Sequence, residues 1–493
     1  MSARLGRLVQ PWAHRAGAYA APGSLLVRLK LGEVPAGIPA ALDVRRRAAQ
    51  PAESTQHQIL DRVVKSFGGS VRVSRLHAAG QALHSIGARN RGYSEAEEIS
   101  GIARMLRFDV APDTHVGSLA VSLMQLDIVE SAMPNYLCTI GLDGPDRHPR
   151  RDEDDDNEGW DPRDMVNARR ALSYCAGDGG VIVGVVDSGI NLLHPEFSGH
   201  AQDGGMGDRL RRGYDTVQLS EGQLATGIKL LGDNRGADTD PTDRYVGHGT
   251  ACAAIIGASG AGLPPGIAGA CRLLPIRSLG AAQPPDHKPV GIGAISDLDM
   301  GLVMAAQLGA HVINCSFGTD DEAIEPGMPK PHAEAIAYAT ARGCTLVAAS
   351  GNSGDKRVYW PAAFPQVIAV GAVDSGRRMA GFSTSGDHVA LCAPGVNIRT
   401  ADLDGYQRAT GTSFAAPFVA GAAALLVARA QERAAAVDPD TIKKLLVASV
   451  QPHRPDIAAG NGAGILDAAR ALELLDRAID ADDTTELGGA DDG

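Results

Sequence analysis

The chain has 493 residues, 44% of them hydrophobic and 21% charged, which is ordinary for a globular protein and leaves room for two or three domains. Its 58 acidic and 46 basic residues give a net charge of −12, so it lacks the positive charge that binds nucleic-acid phosphates. Seven cysteines without close Cys or His spacing argue against a disulfide framework and against a zinc site. No apolar run reaches the roughly 20 residues of a membrane span, so we expect neither nucleic acid nor a membrane as a partner.

Residues 1–23 are predicted to be an N-terminal extension. Gln10, Pro11, His14 and Arg15 interrupt its apolar stretch, which is not the pattern of a secretory signal peptide. We therefore expect a cytoplasmic location, with secretion as the alternative.

Residues 24–141 are predicted to form a small α+β domain. In chain order, the predicted elements are a strand over 25–31, a helix from the capping-box pattern Thr55-x-x-Gln58 through Val64, a strand over 70–76, a helix from Ser94-x-x-Glu97 through Leu106, a strand over 119–126 and a further strand over 133–140. Residues 1–110 carry 16 basic and 8 acidic side chains, which favours attraction to the acidic remainder of the chain. The alternative is that both surfaces are merely solvated.

Two segments are predicted to lack regular structure. Residues 142–160 are dense in charge and Gly and are predicted to be an acidic flexible linker, open to proteolysis. Residues 479–493 are predicted to be a disordered acidic tail.

Residues 161–478 alternate short β-branched runs with helical stretches. The predicted strands are 181–186, 271–279, 310–316, 344–350 and 366–373, and the predicted helices are 251–258, 296–309, 334–343 and 411–426. Apolar strands that alternate with helices indicate a parallel sheet covered on both faces, in which ligands bind beyond the carboxyl ends of the strands.

Three chemically matched side chains stand at element ends in this part. Asp187 follows the first strand, His248 opens the first helix within VGHGT, and Ser413 opens the last helix within GTS. A serine, a histidine that takes its proton and a carboxylate that orients the histidine are what nucleophilic acyl transfer requires. Taken singly, Asp187 could serve a turn, His248 could be a surface residue or a metal ligand, and Ser413 could cap its helix.

Asn352 fits the same chemistry. It follows the strand 344–350, at the sheet edge where the other three side chains are expected. Its amide and the backbone N–H of Ser413 can both donate to a developing oxyanion. The alternative is that Asn352 only serves a turn.

Six motifs follow one another along this part of the chain: VVDSGINLLHPEF (185–197), GHGTACAAIIGA (247–258), INCSFG (313–318), AASGNSG (348–354), VALCAPG (389–395) and GTSFAAPFVAGAAALL (411–426). In this order they resemble the motifs of the subtilisin-like serine proteases of the subtilase family. The resemblance covers about residues 160–475. It implies a three-layer α/β fold with a mostly parallel central sheet and helices on both faces, and serine endopeptidase activity through an acyl-enzyme. It also implies Asp187, His248 and Ser413 as the triad and Asn352 as an oxyanion donor.

The resemblance further implies that a protein or peptide substrate binds as an extended strand between two segments of the chain. By position these segments are Ser316, Phe317 and Gly318 on one side and Ala349, Ser350 and Gly351 on the other. The alternative for Phe317 is an ordinary strand end.

This chain departs from the family pattern at three positions near the site. Asn191 stands where Asp is frequent, Cys252 where an aliphatic residue is usual, and Phe414 where Met is frequent. No departure removes a reacting group. Cys252 predicts sensitivity to bulky thiol reagents.

The interval from Asp187 to His248 is longer than is usual in the family. No cofactor is expected to be required, but calcium, as a structural ion, is one expectation for this insertion because carboxylate oxygens are the ligands it prefers. The candidate ligands are Asp233, Asp238, Asp240 and Asp243. The alternative is a solvated acidic insertion without a metal.

Residues 24–141 also resemble the family's propeptides in element order and position. This implies that the N-terminal domain acts as an intramolecular inhibitor with residues 133–140 in the substrate cleft. The alternative is a permanent recognition domain. Two other functions stay open: a catalytically dead relative that binds peptides, and an esterase of the α/β-hydrolase type, which would require Gly-x-Ser-x-Gly and the order Ser, Asp, His.

Overall fold

The computed structural model describes residues 20–80, 92–140, 162–198, 209–220, 222, 224, 228–236, 238–285 and 287–488, without the side chains of 482–488. The predicted linker of 142–160 lies outside the described residues, as do residues 1–19 of the predicted extension. The remainder of that extension belongs to the first strand, which begins at Ala20.

The N-terminal part is an antiparallel sheet with helices packed on it. Its elements are β1 (Ala20–Leu29), α1 (Ala41–Arg45), α2 (Gln58–Gly68), β2 (Arg72–Arg75), α3 (Glu95–Ser100), β3 (Met105–Asp109), α4 (Val116–Leu123) and β4 (Val129–Ile140). The strands lie in the order β2-β3-β1-β4. Leu60 and Val64 of α2 and Leu119 of α4 belong to the apolar core of this part.

Two helix starts in this part had been predicted from capping patterns. The prediction for Thr55 is wrong, because its hydroxyl donates to Asp61 at 2.7 Å and α2 begins only at Gln58. The capping box of Ser94 and Glu97 is confirmed. The helix that it opens ends at Ser100 rather than Leu106, and a 3₁₀ turn leads into β3, which had been missed.

Residues 119–126 had been predicted to be a strand, and this prediction is wrong. Residues 116–123 form α4. Buried apolar residues at Val116, Leu119, Ala120 and Leu123 have the three- and four-residue spacing of one helical face. That spacing outweighs the short alternating pattern on which the strand prediction rested.

Residues 162–488 supply the second and larger set of elements. In chain order they are α5 (Pro162–Met165), α6 (Ala168–Tyr174), β5 (Ile182–Asp187), α7 (Pro195–Ser198), β6 (Tyr214–Asp215), β7 (Lys229–Leu231), α8 (His248–Gly257), β8 (Arg272–Arg277), β9 (Gly280–Gln283), β10 (Val290–Ala294), α9 (Ile295–Gln307), β11 (Val312–Cys315), β12 (Thr319–Asp320), α10 (Ala333–Ala341), β13 (Thr345–Ala349), β14 (Tyr359–Trp360), β15 (Val367–Val373), β16 (Val389–Pro394), β17 (Ile398–Ala401), β18 (Tyr406–Ala409), α11 (Thr412–Glu432), α12 (Pro439–Ser449) and α13 (Ala468–Gly488). Each strand and helix predicted here is present with shifted ends.

The central sheet has seven parallel strands in the order β16-β15-β13-β11-β5-β8-β6. Strands β5, β13 and β15 are buried along their whole length. Helices α8 and α11 share an apolar core with one face of the sheet, and α9 and α10 share a core with the other. The predicted three-layer fold with a parallel central sheet is confirmed.

A second seven-stranded sheet joins the two parts of the chain. Its order is β2-β3-β1-β4-β10-β9-β7, so β4 pairs with β10 of the larger part. The pairing is antiparallel and sets Leu137 opposite Ala294 and Ile140 opposite Gly291. This pairing places the end of β4, the last strand of the N-terminal part, near the carboxyl edge of the central sheet.

The longest helices are α11 and α13. Within the described residues, α11 is the one helix long and apolar enough to cross a membrane, and 94% of its most apolar window is buried inside the fold. Helix α13 continues to Gly488, so the prediction of disorder from residue 479 is wrong up to that point. Asp480 of α13 pairs with Arg433, at the end of α11, at 2.6 Å, which helps to fix the helix.

Candidate active site

Asp187 ends the central strand β5 and is completely buried. Its Oδ1 accepts a hydrogen bond from the backbone N–H of Ser188 at 2.7 Å and lies 2.8 Å from Nδ1 of His248. The second oxygen of Asp187 lies 3.0 Å from the same ring nitrogen. A buried carboxylate needs such partners, because an unpaired charge in an apolar interior is strongly disfavoured.

His248 begins α8, and a buried carboxylate holds the turn before it. Asp243 accepts the backbone N–H groups of residues 245, 246 and 247 and the hydroxyl of Ser188 at 2.7 Å. Ser188 in turn accepts the N–H of Gly249 at 2.9 Å. A side-chain carbon at Gly249 would lie 2.2 Å from the carbonyl oxygen of Gly189, so glycine is needed for α8 to approach the end of β5.

Two effects compete on the imidazole of His248. Burial disfavours its charged form, but the carboxylate of Asp187 outweighs this, so the pKa of His248 is raised well above its ordinary value of 6.5. The ring of Phe414 lies against it with centroids 5.2 Å apart. Cys252, one turn further along α8, places its sulfur 3.9 Å from Nδ1.

A metal role for His248 would compete with its bond to Asp187. Ligand atoms of Asp187, His248 and Cys252 lie within 4.8 Å of one another, and they are the one such group among the described residues. The ring nitrogen that lies near both other members of the group is Nδ1, which already faces the carboxylate at 2.8 Å and lies 3.9 Å from the sulfur of Cys252. The geometry therefore favours an oriented, hydrogen-bonded histidine.

Ser413 is the second residue of α11 and is partly exposed. Its hydroxyl donates to the carbonyl oxygen of Ser316 at 3.2 Å rather than to its own helix. The backbone carbonyl of Ser413 accepts from Ser316 Oγ at 2.8 Å and from Cys252 Sγ at 3.3 Å. The residue before the helix is Gly411, and no side chain caps the helix start. Ser413 therefore does not have the capping role considered for it.

Asn352 is oriented by the start of the same helix. Its Oδ1 accepts from the backbone N–H of Thr412 at 2.9 Å and from the Thr412 hydroxyl at 2.8 Å. That hydroxyl also accepts the N–H of Gly351 at 3.2 Å. These contacts identify which atom of the Asn352 amide is the oxygen. Its NH₂ group therefore lies on the side away from Thr412.

Most of the predicted site residues line one cavity. It is lined by Thr139, Ile140, His248, Ser316, Phe317, Gly318, Ala349, Gly351, Asn352, Tyr359, Thr410, Thr412, Ser413 and Phe414. Asp187 lies behind His248. Ser350 is not among the lining residues, since it is buried and its hydroxyl donates to the carbonyl oxygen of Thr384.

Residues of both predicted substrate segments line this cavity, but the side chain of Phe317 is not open to it. Its ring is 2% exposed and lies edge-on to His332 with centroids 5.6 Å apart. Tyr359 and Thr410 were not foreseen as lining residues. The sequence offers no signal for Tyr359, because its position depends on the pairing of β14 with β12.

The four aspartates considered for calcium do not converge on one point in the described residues. Asp243 is occupied in holding the turn before His248. Asp240 accepts from Arg244 at 2.8 Å and from the hydroxyl of Thr242, and Asp238 accepts a backbone N–H. Asp233 likewise accepts the N–H of Arg235. Asp233, Asp240 and Asp243 line one cavity with Asp215, but among the described residues their oxygens do not come close enough together to form a calcium ligand set.

The fold agrees with the comparisons to known proteins. The profile of the subtilase family, peptidase S8, matches residues 178–463. This chain belongs to the subtilase family. It is 32% identical over 338 residues to the thermophilic serine proteinase of Bacillus sp. strain AK1, covering 66% of this chain and 69% of that protein. The predicted family and its class, serine-type endopeptidase, are confirmed.

Two further matches bear on the catalytic part and its fold. Subtilisin BL of Lederbergia lenta is 40% identical over 185 residues, which cover 36% of this subtilase and 62% of subtilisin BL. A solved structure of proteases from Pseudoalteromonas arctica matches with a TM-score of 0.51 and 25% identity, covering 63% of this chain and 94% of that one.

The predicted cytoplasmic location is wrong by the same comparisons. The halolysin-like extracellular serine protease Nep of Natrialba magadii is 33% identical over 264 residues, covering 53% of this subtilase and 42% of that protein. Its name places that relative outside the cell. An atypical N-terminal stretch was therefore a poor guide to location.

Proposed function

We propose that this subtilase hydrolyses peptide bonds through a triad of Asp187, His248 and Ser413. The observation that supports this most directly is the buried contact of His248 Nδ1 with Asp187 Oδ1 at 2.8 Å, beside a cavity that His248 and Ser413 both line. A carboxylate on Nδ1 fixes the tautomer whose Nε2 can accept a proton and stabilises the imidazolium that results. The intact set argues against a catalytically dead relative.

In the proposed first step, Ser413 Oγ attacks the substrate carbonyl carbon while its proton passes to Nε2 of His248. The hydroxyl must first rotate away from the carbonyl of Ser316, its present acceptor. The protonated histidine then gives that proton to the leaving amine, and the acyl group stays on Ser413. Water repeats the sequence and releases the acid, so the chain's own groups carry every proton transfer.

The negative charge that develops on the carbonyl oxygen needs preorganised donors. We assign these to the NH₂ group of Asn352 and the backbone N–H of Ser413. Asn352 is held by two hydrogen bonds to Thr412, and Ser413 lies at the N-terminal end of a 21-residue helix. Each fixed donor of this kind contributes about 3–4 kcal/mol to transition-state stabilisation in serine proteases.

The N-terminal part is proposed to inhibit the site by occupying the place of a substrate strand. Residues 137–140 pair with β10, and Thr139 and Ile140 line the cavity with Ser413. Cys138 adds a contact from its sulfur to the carbonyl of Gly318 at 3.2 Å. A peptide substrate would bind as an extended strand in the same position, with backbone pairing as its main source of affinity.

Labelling with a fluorophosphonate probe tests the assignment. We expect the probe to modify Ser413, mapped by mass spectrometry, and to leave Ser413→Ala unlabelled. The purified chain is probed before and after limited digestion with an arginine-specific cysteine protease, for which Arg147, Arg150 and Arg151 offer sites in the linker. Labelling that increases after digestion supports inhibition by the N-terminal part. A wild-type chain that labels in neither state contradicts the proposed activity.

A further inference from the structure

Tyr359 stands between the two substrate-binding segments. It belongs to the short strand β14, which pairs antiparallel with β12 and sets Tyr359 opposite Asp320. Its side chain is almost completely buried, and it lines the cavity that contains Ser413. Strand β12 directly follows the segment that ends at Gly318, so this pairing draws residue 359 against that wall.

The ring of Tyr359 fills the gap between the two walls. A side-chain carbon at Gly351 would lie 2.3 Å from Cδ2 and 2.5 Å from Cε2 of the tyrosine. A side-chain carbon at Gly318 would lie 3.2 Å from its Cβ and 3.4 Å from Cδ1, on the other edge of the ring. The tyrosine therefore leaves no room for a side chain at Gly351 and only tight room for one at Gly318, because its ring occupies the intervening space.

The filled gap is where part of a bound substrate has to go. Asn352 directly follows Gly351, and Ser413 is tied to Ser316 by two hydrogen bonds. A carbonyl whose oxygen faces Asn352 and whose carbon faces Ser413 then directs the side chain of its own residue between the two walls. The cavity volume is about 40 Å³ with Thr139 and Ile140 of the N-terminal part among the lining residues, so the contacts of the Tyr359 ring with the two walls, rather than this volume, define the room left for a substrate side chain.

Neighbouring contacts hold the tyrosine in place. Arg357, two residues earlier, pairs with Asp320 at 3.3 Å and with Asp355 at 3.1 Å. Trp360, the next residue, donates from its indole nitrogen to Asp321 at 2.7 Å. These contacts restrain the chain on both sides of Tyr359, and the tight contacts with Gly351 and Gly318 enclose its ring.

We propose that Tyr359 closes the pocket for the residue on the acyl side of the scissile bond, so that this subtilase cleaves after glycine and alanine and rejects large side chains. The proposal rests on the proposed function of Ser413 and names the substrate class of that site. In the sequence, Ile140 is followed by Gly141, a residue that meets the same restriction.

Matched peptides that differ only at this substrate position test the proposal. We expect wild-type kcat/KM for alanine to exceed that for phenylalanine by at least about 100-fold, since even one misplaced methylene in a pocket costs about 10–200-fold. Tyr359→Gly should raise the ratio of kcat/KM for phenylalanine to kcat/KM for alanine by at least about 100-fold. Tyr359→Phe keeps the ring and should keep the wild-type preference.

Rates are divided by the amount of Ser413 that reacts with a fluorophosphonate, so a partly unfolded variant is not mistaken for an inactive one. Tyr359→Ala serves as a second opened variant, and peptide phosphonates carrying alanine or phenylalanine report the same preference from labelling rates alone. A wild type that accepts phenylalanine as readily as alanine overturns the proposal, as does an unchanged ratio in both opened variants. A wild type whose Ser413 never labels overturns the proposed function, and the pocket assignment with it.

Discussion

The environment of Asp187 determines how the neighbouring histidine can act. The carboxylate lies at the end of a strand buried in the middle of the sheet, and its contact with His248 is shielded from water. A charge in that position acts strongly on the imidazole because there is little solvent to screen it. The raised pKa of His248 means that a larger share of the enzyme carries a protonated, inactive histidine at mildly acidic pH.

Asp187→Asn is expected to lower kcat by about 10⁴-fold, because the amide no longer holds the required tautomer. The variant also loses the charge that raises the pKa of His248. His248 must be neutral to accept a proton, so the acidic limb of the kcat/KM profile should move to lower pH. The profile is measured from pH 5 to 9 with one peptide substrate.

Asp438→Asn is the matched control, since this aspartate caps α12 through the N–H of Thr441 and asparagine caps equally well. Asp438→Asn should leave both kcat and the pH profile of kcat/KM unchanged. A loss below tenfold in Asp187→Asn, or an acidic limb that stays in place, would contradict the assigned role of Asp187.

At the scale of elements, α8 is held by the loop that follows it as well as by the turn before it. Glu196 of α7 is completely buried and accepts the backbone N–H groups of Gly260, Ala261, Gly262 and Leu263 at 2.7–3.1 Å. Burial alone would raise the pKa of this carboxyl, but the backbone donors outweigh it and the pKa is lowered.

Glu196→Gln should lower the free energy of unfolding by about 1.5–3 kcal/mol near pH 7, because neutral Gln replaces a charge-assisted acceptor. A carboxyl with a lowered folded-state pKa stabilises the fold above its unfolded pKa and loses that effect as pH falls through the folded value. The difference between wild type and variant should therefore shrink below about pH 4.5, the ordinary value for Glu.

Thermal unfolding in the Ser413→Ala background, which prevents self-digestion, measures this difference across pH. Glu432→Gln removes a surface carboxylate that pairs with Arg429 at 2.9 Å and should cost less than about 0.5 kcal/mol. Equal losses in the two variants would show that the buried loop contacts carry no special stability.

The elements also explain what the sequence predicted and what it did not. Asp187, His248 and Ser413 stand at strand or helix ends, and a parallel sheet brings such ends to one edge. Local motifs were therefore enough to predict that these three side chains lie near one another. The role of Asp243 was missed because its partner, Ser188, lies 55 residues away in the chain. Tyr359 was missed for the same reason, since its packing against Gly318 follows from a strand pairing that no local pattern signals.

At the scale of the whole molecule, three chain segments meet around one buried ion pair. Arg45 of α1 reaches from the N-terminal part to Asp297 of α9 at 2.9 Å and to the carbonyl of Thr216 at 2.6 Å. The second oxygen of Asp297 accepts the N–H of Gln218 at 2.8 Å. Thr216 and Gln218 belong to the insertion between Asp187 and His248. This insertion thus forms part of the surface on which the N-terminal part docks.

Arg45→Met keeps the apolar stem of the side chain but leaves Asp297 buried without its cation. Removing one partner of a buried pair costs about 3–5 kcal/mol, because the remaining charge is uncompensated. We expect that cost to fall on docking of the N-terminal part, so hydrogen exchange of the amides that join β4 to β10 should accelerate by at least about 100-fold.

The exchange experiment compares Arg45→Met with Arg72→Met, which alters an exposed arginine of β2, in the Ser413→Ala background. Amides of β5, β11 and β13 in the central sheet should keep their protection in both variants if the parts undock separately. The Arg45→Met variant with Ser413 restored should then hydrolyse peptides faster than the wild-type chain, both as uncut chains. The reason is that undocking of the N-terminal part uncovers the active site. Equal acceleration throughout both sheets would mean that the chain opens as one unit, and that the N-terminal part is a fixed piece of the enzyme instead of a removable inhibitor.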